Sequence, residues 1–183
     1  MKKSLHLLSE NPNQTKKIGK KLASLLGGGE IIGLLGDLGG GKTTFISGVA
    51  SGLGIKESVL SPTFVLLKEY KIPKNVKCPR RSRFATLRGK QISKLKSQAT
   101  RLCHFDFWRL KDEKEASELG LEEYLGKPNL VCVIEWADKI AKILPKERLT
   151  VEFKYIGENE REINFKPIGE RYQILIKNLT NKQ

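Results

Sequence analysis

The 183-residue chain predicts an α/β sandwich of three layers, with a mainly parallel central sheet and a C-terminal β-hairpin. Three observations carry that expectation. The apolar run Ile31 to Leu35 is followed by Gly36-Asp37-Leu38-Gly39-Gly40-Gly41-Lys42-Thr43, and then by Phe45, Val49 and Leu53 at helical spacing. A second apolar run, Leu130-Val131-Cys132-Val133-Ile134, reads as a central parallel strand buried on both faces. Finally, Leu149, Val151, Phe153 and Tyr155 alternate, as do Ile163 and Phe165 across the turn Gly157-Glu158-Asn159, which is the pattern of a hairpin.

The glycine-rich stretch fits G-x-x-x-x-G-K-[ST] residue for residue, and it has the strand before and the helix after that the pattern requires. It reads as a phosphate-binding loop, which makes the sandwich P-loop NTPase-like. Gly36, Gly39, Gly40 and Gly41 let successive backbone N–H groups turn inward toward phosphate oxygens, and the following helix adds its positive end. Lys42 reaches the β- and γ-phosphates of a nucleotide as a point charge. The Thr43 hydroxyl is a ligand for Mg²⁺, which neutralises charge between those phosphates.

Taken in order, Leu5, Leu7 and Leu8 predict a short first strand ending in the turn Asn11-Pro12-Asn13. Ile18, Leu22, Leu25 and Leu26 predict a helix with Lys16, Lys17, Lys20 and Lys21 on its solvated face, stopped by Gly27-Gly28-Gly29. After the phosphate-loop helix, which Gly54 ends, Ser61-Pro62-Thr63 leads into a strand expected over Phe64 to Tyr70. Those three residues read either as an ordinary turn or as a switch-like loop whose Thr63 senses a γ-phosphate. Arg101 to Asp106 predicts a strand that sets Asp106 at the sheet edge where open α/β folds place ligands. Lys111 to Leu125 follows as helix and loop with solvated acids. Glu135 stands directly after the second apolar run, a Walker-B-like place from which a carboxylate holds the Mg²⁺ hydration shell or orients an attacking water. A helix is expected near Asp138 to Leu144. Tyr172, Leu175, Ile176 and Leu179 fit a short C-terminal helix.

The totals narrow the class. A chain of this length with 39% hydrophobic residues builds one domain, residues 1–183, and no apolar run approaches the ~20 residues of a bilayer span. Leu5-His6-Leu7-Leu8 is cut off by Ser9-Glu10-Asn11-Pro12 before a signal-peptide core forms, so a cytoplasmic protein is expected. Cys78, Cys103 and Cys132 lack paired metal-ligand spacing and read as buried or free thiols. The net charge of +14 is concentrated: residues 71–101 hold eleven Lys and Arg and no acid, which leaves +3 for the rest of the chain. Within that segment Ile92, Leu95 and Ala99 have helix-like spacing. It reads as a solvated, disordered insertion, as an RNA-contacting arm, or as an arginine-bearing lid over ATP.

Several stretches together resemble the TsaE (YjeE) family of small bacterial P-loop ATPases. They are Gly36 to Phe45, Ser61-Pro62-Thr63-Phe64, His104-Phe105-Asp106-Phe107-Trp108-Arg109-Leu110, Glu118-Leu119-Gly120-Leu121-Glu122-Glu123-Tyr124, and Ile134-Glu135-Trp136. The resemblance implies a part in forming N6-threonylcarbamoyladenosine at position 37 of tRNAs that read codons beginning with A. It implies two partners, TsaD, which transfers the threonylcarbamoyl group, and TsaB, its paralogous companion, with ATP hydrolysis supporting turnover of the assembly. By the same resemblance the loop from Gly36 to Thr44 holds the nucleotide with Lys42 on its phosphates. Thr43 and Glu135 bind Mg²⁺, Asp106 assists hydrolysis, Thr63 and Trp136 shape the site, and the stretch from Asn13 to Thr15 lies toward the adenine.

Two departures stand out. Trp108 replaces a more usual Tyr, and the connection after Tyr70 is some two dozen residues longer than in relatives, and highly basic. Apart from the resemblance, the rival readings are a P-loop kinase for a small metabolite, with Arg80, Arg81 and Arg83 as its lid, and a nucleotide-dependent binding module that hydrolyses negligibly.

Overall fold

The computed structural model describes residues 4–74, 86–87, 90–91 and 98–180. Strand β1 (Leu5–Ser9) leads to helix α1 (Pro12–Ala23), which begins where a turn was expected. The reason is local: Asn11 caps the helix, its side chain accepting from Gln14 N at 2.9 Å, and Pro12 occupies the first turn, where its missing N–H costs nothing.

Strand β2 (Glu30–Leu35) and helix α2 (Lys42–Gly52) bracket the glycine-rich loop as expected. Strand β3 (Leu67–Lys71) begins three residues later than the sequence suggests. Val65 N and Leu66 N both donate to Pro62 O, and Leu66 turns left-handed at φ 63°, so Phe64 and Val65 stay in an exposed turn.

The chain then passes through a two-stranded ladder, β4 (Thr86–Leu87) with β5 (Lys90–Gln91), to β6 (Arg101–Asp106). Helix α3 (Glu113–Glu118), β7 (Leu130–Glu135), β8 (Arg148–Tyr155), β9 (Arg161–Ile168) and α4 (Glu170–Thr180) complete the order. The helix expected near 138–144 is a single 3₁₀ turn, Ala137–Ile140. A left-handed Trp136 stands before it, and Pro145 bars any continuation beyond Leu144.

The seven-stranded sheet has the order β1-β9-β8-β2-β7-β6-β3. Its centre, β8-β2-β7-β6, is parallel, while β9, β1 and β3 are added antiparallel at the flanks. Alternate residues of the central strands divide between two cores, giving three layers. Ile32, Leu34, Val131 and Val133 face α1, α2 and α4, whereas Ile31, Cys132 and Ile134 face α3 and the 3₁₀ turns Leu121–Glu123 and Ala137–Ile140. Cys103 and Cys132 are free, buried and in register across β6 and β7, and the Cys132 thiol is pushed up by its hydrogen bond with Cys103 and by burial. Cys78 and the arginines of the lid reading, Arg80, Arg81 and Arg83, lie outside the described residues, as do Ile92 and Leu95. Ala99 belongs to no helix.

Both roots of the basic segment leave the sheet at one place. Lys71 pairs with Arg101, and Ile72 N donates to Thr100 O at 2.8 Å. This is the N-terminal end of β6, about 17 Å along the strand from Asp106. Among the described residues no helix is long and apolar enough to cross a membrane.

Helices α1 and α2 approach closely enough that a side chain at Gly48 has no space: a Cβ there would stand 2.1 Å from Lys16 O. Gly48→Ala is expected to cost about 1–3 kcal/mol despite a gain of up to ~1 kcal/mol in helix propensity. Urea unfolding checks this, and a midpoint equal to or above that of the wild type would contradict the close crossing.

Candidate functional site

The C-terminal ends of β2, β6 and β7 lie side by side, and the polar groups of the site come from these ends, from the loop and first turn of α2 after β2, and from the turn before β3. Leaving β2, the chain must pass β8. Gly36 does so at φ 127°, where a Cβ would come within 2.3 Å of Phe153 O. Gly41 is the N-cap of α2 without a side-chain cap, so the first N–H groups of the helix are left for another acceptor.

Strand parity aligns the acids. Val131 and Val133 face α2, so Glu135, two residues on, faces the same way, as do Leu102, His104 and Asp106 along β6. Glu135 and Asp106 are register partners. Both are buried, and with the loop they line a cavity of about 260 Å³.

Within it the Thr43 hydroxyl donates to Glu135 Oε1 at 2.9 Å, and His104 Nε2 stands 2.9 Å from the same oxygen. Asp106 Oδ2 accepts from Thr63 Oγ1 at 2.6 Å and from Ser61 Oγ, while Oδ1 accepts from Trp108 N at 3.0 Å. The switch-like stretch is thus tied to the carboxylate by both its hydroxyls.

Lys42 donates to Gly36 O and Asp37 O, each at 2.7 Å, with its ammonium 4.0 Å from the centre of the Trp136 ring. Burial lowers its pKa, opposed by the charges of Glu135, Asp106, Asp37 and Asp138. Trp136 reaches this position because it turns left-handed, φ 59°, directly after β7. Its ring packs on Trp108 at a centroid distance of 4.5 Å.

Of the residues singled out from the sequence, Leu38, Gly39, Gly40, Gly41, Lys42, Thr43, Thr44, Thr63, Asp106, Glu135 and Trp136 line one cavity. Gly36 and Asp37 stand behind it and offer their carbonyls to Lys42. Thr15 is not among the lining residues: it is buried, bonded to Ser9 Oγ at 2.7 Å, with its methyl beside Gly41 at the back of the loop. Sequence reasoning gave no role to Ser61, His104, Trp108 or Arg161. Ser61 and His104 carry a signal, each being a polar residue two positions before a singled-out residue. Arg161 carries none: its guanidinium joins the β8–β9 turn, through Gly157 O at 2.8 Å, to Gly39 O at 3.1 Å.

A hard-oxygen pair, Thr43 and Glu135, beside open helix-terminal N–H groups fits Mg²⁺ with a nucleotide. Mg²⁺ takes one or two protein oxygens and completes its shell with phosphate and water. Among the described residues no group of three or more His, Cys, Asp or Glu could hold a metal alone.

A strand, glycine-rich loop and helix set against two acid-tipped parallel strands define a P-loop NTPase-like protein. The family model described as "Threonylcarbamoyl adenosine biosynthesis protein TsaE" matches residues 9–79 and 90–163, and the chain belongs to that family. The interruption at 80–89 falls inside the basic segment. A Bacillus subtilis protein named "tRNA threonylcarbamoyladenosine biosynthesis protein TsaE" is 39% identical over 97% of this chain and 95% of its own length. A Treponema pallidum protein of the same name is 30% identical over 87% and 98%. The crystal structure of Bacillus subtilis YdiB superposes with a TM-score of 0.73 at 35% identity, covering 100% of this chain and 97% of that one.

Hydroxyl donors to a charged acceptor are worth about 1.5–3 kcal/mol each. Removing both with Ser61→Ala and Thr63→Val is expected to raise amide hydrogen exchange over 62–66 about tenfold or more, leaving α2 unchanged. Unaltered exchange there would mean that the loop is held by something other than Asp106.

Proposed function

We propose that the chain hydrolyses ATP to ADP and phosphate in support of N6-threonylcarbamoyladenosine formation at position 37 of tRNAs reading codons that begin with A. It acts with TsaD and TsaB in the cytosol. The observation that carries this reading is the convergence of Lys42, Thr43, Asp106 and Glu135 on one cavity at the head of α2. Family membership, and relatives named for tRNA threonylcarbamoyladenosine biosynthesis, support the biological assignment.

The chemistry divides among the residues as follows. Backbone N–H groups from Gly39 to Thr44 donate to the phosphate oxygens, and Lys42 turns from the carbonyls of Gly36 and Asp37 to the β- and γ-phosphates. The Thr43 hydroxyl gives its hydrogen to Glu135 and keeps a lone pair for the cation, with the Glu135 carboxylate as second holder. Bound by Thr43 and Glu135, Mg²⁺ would supply positive charge against the phosphates. Asp106 orients the attacking water once Ser61 and Thr63 release Oδ2 and turn their hydroxyls toward the γ-phosphate. Trp108 and Trp136 wall the cavity and exclude other water. The stretch with Thr15 lies toward the adenine by the family resemblance, its hydroxyl held by Ser9.

The kinase reading places Arg80, Arg81 and Arg83 over the nucleotide, yet the segment carrying them is rooted at the far end of β6. Eleven Lys and Arg without an acid fit the phosphates of tRNA, and contact of that kind is the role proposed for them.

Multiple-turnover modification of tRNA by TsaB, TsaD and a threonylcarbamoyl-adenylate source tests the first part. The wild type is expected to stimulate it, and Lys42→Ala to lose at least about 10²-fold in ATP turnover and the stimulation with it. No stimulation with partners shown to be active, and phosphate transferred to an acceptor, would give the kinase reading its place. For the second part, replacing Arg80, Arg81 and Arg83 with Ala should weaken tRNA binding and flatten its salt dependence by about 0.7–0.9 per lost phosphate contact. An unchanged affinity and slope would remove the basic segment from RNA recognition.

A further inference from the structure

We infer that His104 is a positioning residue for Glu135, setting which carboxylate oxygen is presented to the cation. The inference rests on the proposed Mg²⁺–nucleotide reading of the cavity. His104 is 0% exposed, and its Nε2 lies 2.9 Å from Glu135 Oε1. An ionised carboxylate has only acceptors, so the hydrogen of this bond sits on Nε2.

The other ring nitrogen carries the argument. Nδ1 is buried and has no partner, although buried polar atoms are nearly always paired. A histidine placed merely to fill the core would be replaced at no loss by an apolar side chain of similar size. Here the one hydrogen bond the ring makes is to the carboxylate at the cavity, which matches the outer partners that orient metal ligands.

Oε1 also accepts from Thr43 at 2.9 Å. With two donors on Oε1, the carboxylate is fixed about its terminal torsion and Oε2 is left for the cation. Without His104, only the Thr43 hydroxyl restrains it, and that hydroxyl is itself needed at the metal.

The test is equilibrium binding of ADP, with Mg²⁺ and with EDTA, read by the fluorescence of the chain's two tryptophans, both at the cavity. His104→Leu is expected to bind ADP in EDTA as the wild type does, and to lose about 10–100-fold in apparent Mg²⁺ affinity for the complex. His104→Gln, whose amide N–H reaches about as far as Nε2, should recover most of it. An intact Mg²⁺ effect in His104→Leu, or an equal loss in EDTA and in Mg²⁺, would overturn the inference. Absence of any Mg²⁺ effect in the wild type would instead bring down the cation reading beneath it.

Should the Leu variant fail to fold, the wild type still decides. The chain has two histidines, and His6 is exposed on β1. The ¹⁵N ring signals of His104, assigned by comparison with His6→Gln, should shift when Mg²⁺ is added to the ADP complex, and stationary signals would refute its contact with the cation's carboxylate.

Discussion

Glu135 Oε1 receives a hydroxyl from the first turn of α2 and an imidazole from β6, while its own backbone closes β7. Three elements separate in the chain are thereby fixed to one another at a single buried oxygen. Such a group is costly to bury unless it is fully bonded, so the site and the fold specify each other here. The register of the parallel centre is part of the same constraint. Leu34 pairs with Glu135 and Glu135 with Asp106. A slip of one residue in β7 would carry the carboxylate to the face packed on α3, among Ile31, Cys132 and Ile134.

Backbone strain is gathered around that oxygen. The positive-φ residues other than glycine among those described are Leu66 and Trp136, and they flank the two acids. Leu66 ends the hydroxyl-bearing turn and its carbonyl accepts from Asp106 N at 3.1 Å; Trp136 immediately follows Glu135. Each such conformation costs about 1–3 kcal/mol and persists where its surroundings over-determine it. At Trp136 the surroundings are the Lys42 ammonium on one side and Trp108 on the other. The strained turn therefore completes a wall beside a lysine whose charge is already disfavoured by burial. A phosphate there would compensate that charge more fully than the carbonyls of Gly36 and Asp37 do.

Much of this was legible before any coordinate was known, and the reasons are particular. Continuous apolar runs, Ile31 to Leu35 and Leu130 to Ile134 with Glu135 after it, belong to strands buried on both faces, and the alternation from Leu149 to Tyr155 belongs to a strand with one face polar. The phosphate loop is a local motif whose function follows from consecutive residues. What was misread turned on single backbone angles: the left-handed Leu66 delays β3, the left-handed Trp136 curtails the helix after β7, and Asn11 with Pro12 starts a helix instead of a turn. What was missed depends on tertiary neighbours. His104 has a meaning only once β6 lies beside β7, and Arg161 only once a hairpin 122 residues away reaches Gly39.

The acids of the site and the roots of the basic segment stand at opposite ends of the same strands. Asp37, Asp106, Glu135 and Asp138 act on Lys42 at the C-terminal ends of the parallel strands. The roots of the basic segment, Lys71 and Arg101, stand at the other end of β6, beyond about 17 Å of strand. That distance exceeds the Debye length of about 8 Å at physiological ionic strength, so charge at one end is largely screened from the other. Under the proposed function this matters because both ligands are polyanions. A basic segment rooted beside the phosphate loop would draw nucleotide and tRNA to one place, where each would repel the other. With Lys71 and Arg101 rooted at the opposite end, the positive groups described at the cavity are the loop N–H groups and Lys42, and its selectivity rests on these and on the cation.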